Sequence, residues 1–428
     1  MPNTLKPKAL LNRLRTEKPS FGRNMLWMAL TQGVHRIARL GATLIAARLL
    51  MPEAFGIAAI VLTVHELVNA ITHSAFVPAL VQARDDAFDM LCNHAHRLNW
   101  LLCILLMGLQ CAIGYGVSLA YNDPILFPAI AVLSLSFLCL PPATIHAAKV
   151  LRENRLNVVA RAEMGQSLGE AVLIIVFAVA GFGFWALVLP KLLTAPYWTY
   201  VYRRATSWTP TPPNHWRIPP ALTRFSGPMI GNEVVFALRN HMDYLLIGFF
   251  LSLDVLGVYY FAFNAGLGLS LGLLRAYSTA LFPHLCATSE AQKGDSMLRG
   301  MRLFARFAVP VILAQCLLAP WYVPILFGER WVELGALPIL ILICLSALPR
   351  IVLDTCSQGL RAAGVPGIDL KLQLLTTVLF GVGMMAGLPW GIQGVATGIL
   401  IGTTLAALPA YALTHRRLAP TTPEVLSP

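Results

Sequence analysis

Ten charged side chains of this sequence fall inside stretches that are otherwise apolar. They are Arg36, Arg39, Arg239, Arg275 and Arg350, and Glu66, Glu170, Glu233, Asp243 and Asp354. In a bilayer each central arginine costs roughly 2.5–3.5 kcal/mol on insertion scales, so none can face lipid without a partner or water. Two arrangements would offset that cost. One is a hydrated interior cavity of net positive charge; the other is a set of internal ion pairs, of which Arg239 with Asp243 at i, i+4 is the simplest.

Helical phase groups these residues. Gln32, Arg36, Arg39 and Thr43 follow i, i+4, i+7, i+11 and share one stripe, and His65, Asn69, Thr72 and His73 share another face. Asn232, Glu233, Arg239, Asn240 and Asp243 fall within a broad arc, and Asn264, Arg275 and Ser278 align. Arg36 and Arg39 have no acid on their own helix, which favours the cavity; Arg239 leaves both arrangements open.

Two further groupings resemble reactive sites. Gly165-Gln166-Ser167-Leu168-Gly169 fits the nucleophile-elbow pattern, but that motif needs a strand before it and a helix after it, and here it lies inside an apolar helix. Asp89, Cys92, His94 and His96 crowd one expected polar connection without the paired spacing of a structural zinc site. No catalytic residue, metal site or cofactor is expected.

The elements that carry these residues are membrane helices. Hydrophobic residues make up 57% of the chain and charged residues 12%, about half the charged fraction of a soluble domain. Apolar windows place helices near 22–50, 55–82, 97–121, 125–148, 158–180 and 182–203, and near 224–251, 255–284, 302–327, 333–360, 369–387 and 391–413. The formal charge of +12 arises mostly from short loops and helix ends, with no basic run or aromatic–basic motif, so a nucleic-acid partner is not expected. The eight cysteines are scattered, with no Cys-x-x-Cys pair, and read as packing residues. The first twenty residues have no apolar core, so no cleaved signal is expected and the first helix would direct insertion.

Loop charge sets the expected orientation. Lys6, Lys8, Arg13, Arg15, Lys18 and Arg23 precede the first helix, and every second connection after it is basic. The alternate connections carry almost no basic residue, Arg330 being the exception. An even number of helices and two cytoplasmic termini follow.

The expected organisation is a basic segment 1–21, six helices over 22–203, a linker at 204–223, six helices over 224–413 and a tail at 414–428. Pro210, Pro212, Pro213, Pro219 and Pro220 make the linker extended. The halves resemble each other, with Glu53-x-x-Gly56 matching Asp254-x-x-Gly257 and Leu151-Arg152 matching Leu360-Arg361. Halves of even helix count would be related by an axis along the membrane normal. Gly394-x3-Gly398-x3-Gly402 and Gly268-x3-Gly272 predict close helix contacts.

Four segments carry a family likeness. Ala47-Arg48-Leu49-Leu50-Met51-Pro52-Glu53-Ala54-Phe55-Gly56 resembles the turn after the first helix in the polysaccharide-transporter (Wzx-type) branch of the multidrug/oligosaccharidyl-lipid/polysaccharide exporter superfamily. Gly181-Phe182-Gly183-Phe184-Trp185-Ala186-Leu187-Val188, Leu326-Phe327-Gly328-Glu329-Arg330-Trp331 and the Ala-Leu-Val-Gln of 79–82 resemble further family segments, in order and spacing. The resemblance implies an all-α membrane protein of about 12 transmembrane helices, in two six-helix lobes around a central cavity lined by helices one, two, seven and eight. It also implies transport of polyprenyl-pyrophosphate-linked oligosaccharides across the bacterial inner membrane by alternating access, with a downstream polysaccharide polymerase as a candidate partner.

On that reading Arg36, Arg39, Arg239 and Arg275 hold the pyrophosphate, because a guanidinium fork pairs bidentately with phosphate oxygens. Gln32, Asn69, Asn240 and Asn264 would meet the sugars, and His65, Glu66, Glu233 and Asp243 are the candidates for coupling to a cation. Two alternatives remain. A cation-coupled multidrug exporter of the same superfamily would favour an acid-lined cavity. A membrane polymerase or ligase would need a sizeable outer loop, whereas the longest outward connection, Phe327–Leu334, is eight residues.

Overall fold

The computed structural model describes residues 21–83, 85–211, 220–267, 274, 277–278, 281–282, 284–286 and 288–418. Every described element is helical. The helices are α1 (Phe21–Leu49), α2 (Pro52–Ala75), α3 (Val77–Gln82), α4 (Asp85–Tyr121), α5 (Leu126–Ser134), α6 (Pro141–Arg152), α7 (Leu156–Val179) and α8 (Trp185–Ala205). They continue with α9 (Pro220–Phe250), α10 (Leu253–Ala262), α11 (Glu290–Phe327), α12 (Arg330–Glu333), α13 (Ala336–Leu345), α14 (Ala347–Ala362), α15 (Pro366–Gly387) and α16 (Gly391–Leu418).

Six spans among the described residues are long and apolar enough to cross a membrane, or seven if the bent pair Leu126–Cys139 and Pro141–Arg152 counts as one. The last of the six, Gly367–Leu418, takes in two of the helices expected from sequence. The expected helix at 255–284 is described continuously only to residue 267. Its start, α10, passes into a π-helical turn at Phe263–Leu267, whose Gly266 carbonyl accepts from Gln315 Nε2 at 2.7 Å.

Two expectations need correction. Asp89–His96 is not a loop: α4 begins at Asp85 and runs 37 residues, and its part from Asp85 to Met107 has no glycine or proline to stop it. Cys92 is buried there against Leu80, Ile145 and Ala148, and His96 lies edge-on to Trp208. Among the described residues no three His, Cys, Asp or Glu side chains are placed to hold a metal. The expected helix at 125–148 is also broken, bending by 52° at Pro141–Pro142. Neither proline has an N–H to donate, so the ladder is interrupted there.

The packing divides the chain into two compact units. One comprises Ile60–Met242 with the described residues up to Ala42; the other comprises Thr43–Ala59 with the described residues from Asp243. In the first, Ala143, Ala147 and Val150 of α6 pack on Val158, Val159 and Ala162 of α7 and Tyr202 of α8. A buried Asn99–Thr144 hydrogen bond of 2.8 Å ties α4 to α6. The start of the linker is docked on this unit: Thr211 is bonded to Asn93, and Trp208 lies between His96 and His146.

In the second unit α15 and α16 form the close pair that the glycine spacing predicts. A Cβ on Gly398 would collide with the Gly383 carbonyl, and one on Gly394 with the Gly387 carbonyl. Gly268 and Gly272 lie outside the described residues. All eight cysteines are free.

Candidate functional site

The intramembrane charges gather most densely in the first unit. α2 contributes His65 and Glu66, and α8 contributes Lys191, whose ammonium is ion-paired with the Glu66 carboxylate. The pair leaves 28% of the Lys191 side chain and 33% of the Glu66 side chain exposed. From α7, Glu170 accepts from Gln166 Nε2 at 3.1 Å and stands 3.3 Å from Thr194 Oγ1 of α8. The charges of Glu170 and Arg39 also act on Lys191, and those of Glu66, Lys191 and Arg39 act on His241 of α9. His65 is buried and bonded to Gln110 of α4 at 3.1 Å, and Gln110 donates to the Ile130 carbonyl at 2.8 Å.

Five helices thus turn two acids, two bases and two histidines toward one place. A charged cluster of this kind cannot face hydrocarbon, so its exposed third faces water. The local reasons are plain in the sequence. Pro190 and Pro196 each remove one ladder bond from α8, and Thr194 donates to the Pro190 carbonyl at 2.8 Å. Gly165 lets the Tyr197 ring lie against the α7 backbone.

Of the expected binding residues, Arg39 belongs to this cluster. Arg36 is half-buried on the same helix. Arg239 stacks over Phe236 at 5.4 Å. Asn69 accepts from Thr72 Oγ1 at 2.9 Å and Asn264 donates to the Tyr260 carbonyl at 2.8 Å, so each makes a bond within its own helix. Asn240 is exposed and Glu233 half-buried on α9. Arg275 and the side chains of Gln32, His73 and Asn232 lie outside the described residues.

Asp243 belongs to a separate cluster in the second unit. It is buried, accepts from the Tyr259 hydroxyl at 3.0 Å and feels the charge of Arg350. The i, i+4 pairing with Arg239 is therefore not what satisfies it. Lys191 was not among the charges that sequence reasoning singled out. The signal was there: a lysine inside an apolar helix, in the same half as two acids with no basic partner in phase.

Ser167 makes a 2.6 Å hydrogen bond to His35 Nδ1, yet it sits in the middle of α7. The neighbouring amides are engaged in the helix ladder and cannot form an oxyanion hole, so the elbow reading fails on geometry.

Two of the segments that carry the family likeness, 47–56 and 326–331, meet in the second unit. Trp331 is fully buried, stacked on Phe261 at 3.9 Å and edge-on to Phe55 at 5.3 Å. Its Nε1 donates to the Ala47 carbonyl at 2.9 Å. Arg330 donates to the Leu50 carbonyl, and Arg48 donates to the Leu326 and Ile325 carbonyls at 2.8 and 2.5 Å. Arg48 therefore caps the C-terminus of α11 while Arg330 and Trp331 cap that of α1, where carbonyls lack helical partners and cations are favoured. Gly56 and Gly257, each the fifth residue of its helix, are reciprocal. A Cβ on Gly56 would strike the Leu253 carbonyl, and one on Gly257 the Pro52 carbonyl.

Residues 45–336 match the family described as "Polysaccharide biosynthesis protein". The chain belongs to that family. It is 23% identical over 384 residues to the lipopolysaccharide biosynthesis protein WzxC of Escherichia coli (strain K12), covering 85% of this chain and 74% of that one. Among solved structures, the fold is similar to the lipid II flippase MurJ in an inward closed conformation. That likeness has a TM-score of 0.74 and 15% identity, covering 91% of this chain and 87% of MurJ. It is also similar to an inward-facing multidrug resistance MATE family transporter of the MOP superfamily. There the TM-score is 0.64 and the identity 16%, over 95% of this chain and 97% of the other. The chain is an all-α, multi-pass membrane protein with the fold of these transporters.

Proposed function

We propose that the chain is a flippase that carries polyprenyl-pyrophosphate-linked oligosaccharide units across the bacterial inner membrane by alternating access. The observation that carries the reading is the water-facing charge cluster built from α1, α2, α7, α8 and α9, in a member of the polysaccharide biosynthesis family. A flippase must shelter a dianionic headgroup and its sugars at membrane depth while the isoprenyl tail stays in lipid. Arg36, Arg39, Arg239 and Arg275 are the residues for the headgroup. Gln32, Asn69, Asn240 and Asn264 are the residues for the sugars; Asn69 and Asn264 each also make a bond within their own helix.

The six-helix lobes 22–203 and 224–413 are the bodies that alternate, with both termini in the cytoplasm and a polysaccharide polymerase taking the product. The sequence likeness to WzxC and the fold likeness to a flippase support this reading. The chain moves its substrate without making or breaking a covalent bond. The experiment is deletion of the gene followed by mass spectrometry of lipid extracts. Accumulation of one intact lipid-linked repeat unit, cleared by the wild-type gene, is expected; an unchanged lipid pool overturns the proposal.

The multidrug reading is favoured by one observation, the fold shared with the MATE family transporter. Protection of a drug-sensitive strain without any effect on lipid-linked sugars would select it.

A further inference from the structure

Lys191 has a divided allegiance. Its ammonium is paired with Glu66 of α2, and Glu170 of α7 acts on it from a second side. Arg39 and His241 flank the same place from α1 and α9, and His65 stands beside Glu66 on α2. The formal charges of Lys191 and Arg39 balance those of Glu66 and Glu170. An anion that enters finds the Lys191 ammonium already engaged unless the Glu66 carboxylate gives way.

Glu66 is the one able to give way. Glu170 is held by Gln166, with Thr194 beside it, whereas Glu66 is held by its pair with Lys191. The pair is also about one-third exposed, so exchange of its partner does not require dehydrating a fully buried ion. A part-exposed pair is weakly held, whereas a fully buried one is strongly destabilised when broken. A phosphate group carries more negative charge than a carboxylate, and lysine binds it as a point charge.

We propose that Lys191 is a phosphate-binding residue held in reserve by Glu66. An isoprenyl pyrophosphate displaces the Glu66 carboxylate from the ammonium, and Glu66 turns to the histidine side of the cluster. Unloaded, the Lys191 charge is balanced by Glu66, so bulk anions compete with a carboxylate already in place. This inference rests on the flippase reading and adds to it a binding residue on α8 with an internal competitor.

The test is binding of farnesyl pyrophosphate to the full chain in nanodiscs of phosphatidylcholine, which carry no anionic lipid. Farnesol and inorganic pyrophosphate are the parallel probes. Lys191→Met should weaken farnesyl pyrophosphate by about tenfold or more, and Lys191→Arg should stay within a few-fold of wild type. Glu66→Gln should tighten it several-fold, because the competing carboxylate is gone. The neutral double variant Glu66→Gln/Lys191→Met removes the pair without leaving a lone charge, so it keeps the fold and should bind as poorly as Lys191→Met. Inorganic pyrophosphate following the same order at lower affinity supports phosphate as the recognised group, and equal binding of farnesol refutes it.

Wild-type binding in Lys191→Met overturns the proposal, and so does recovery of binding in the double variant, which is the behaviour of a structural ion pair. If wild type itself binds no farnesyl pyrophosphate and clears no lipid-linked sugar in cells, the flippase reading falls first. If wild type clears the sugar but the variants do not separate, only the role of Lys191 falls.

Discussion

Replacing Gly56 or Gly257 by alanine tests the reciprocal contact between the starts of α2 and α10. A Cβ on Gly56 would lie 2.7 Å from the Leu253 carbonyl carbon, and one on Gly257 would lie 2.7 Å from that of Pro52. Ordinary contact begins at 3.4 Å, so relief needs at least 3.4 − 2.7 = 0.7 Å of movement between two backbones. The carbonyl oxygens lie nearer than the carbonyl carbons, so the movement needed exceeds that figure. Neither obstacle is a flexible side chain, and close-packed surroundings transmit such a shift. Overpacking of this kind costs about 1–3 kcal/mol per site.

Both substitutions push the same two helix starts apart, so the second costs less once the first has moved them. Thermal unfolding in detergent should show each single variant destabilised by a few degrees. The double variant should be destabilised by clearly less than the sum, as expected for coupled neighbours. Additive losses would mean that the two contacts are independent, and unchanged midpoints would mean that the helices are not in contact at all.

The remaining predictions concern separate parts of the chain. Trp331→Ala empties a fully buried site against Phe55 and Phe261 and should cost about 3–5 kcal/mol in thermal or denaturant unfolding. Trp331→Phe should cost less, mainly through the Ala47 carbonyl it leaves unbonded. Gly398→Leu drives a side chain into the Gly383 backbone and should lower the amount of folded protein in the membrane, measured by fluorescence-detected size exclusion. Arg36→Lys and Arg39→Lys should impair complementation of a transporter-deficient strain at normal protein abundance, since lysine keeps the charge but not the fork. Reporter fusions after Arg203 and Arg417 should both signal the cytoplasm; a periplasmic signal at either would refute the even helix count.

How far the sequence revealed this depends on the physics of each feature. Long apolar windows locate helices because the bilayer demands them; α7 and α16 follow closely, while α4 and α11 begin well before their apolar windows. Glycine spacing locates the α15–α16 contact because only a missing Cβ allows backbones so near. The break at Pro141 was written in the residue itself, though apolarity alone ran the helix through it. Arg330, the basic residue out of place in the loop-charge pattern, is explained only in three dimensions, by the Leu50 carbonyl it caps.

The site was less legible because helical phase reports faces and not partners. Phase put Asn69 and Asn264 on polar stripes, but side-chain torsion turns both onto their own helices. Phase likewise left a pair of Asp243 with Arg239 open as one of two arrangements, whereas Tyr259 bonds the acid from another helix. Lys191 stands out in the sequence as a lysine in an apolar helix, but its partner is fixed only where α2 and α8 bring it to Glu66, 125 residues away.

The central claim is tested most directly by reconstituting the purified chain in liposomes whose inner leaflet carries the host's pyrophosphate-linked repeat unit. A membrane-impermeant glycosidase added outside then reports each unit that crosses. The account predicts that the units become cleavable in vesicles holding wild-type protein, and much more slowly with Arg39→Ala or Lys191→Met present at equal density. Cleavage no faster than in protein-free vesicles, with correctly folded wild-type protein in the membrane, would contradict it.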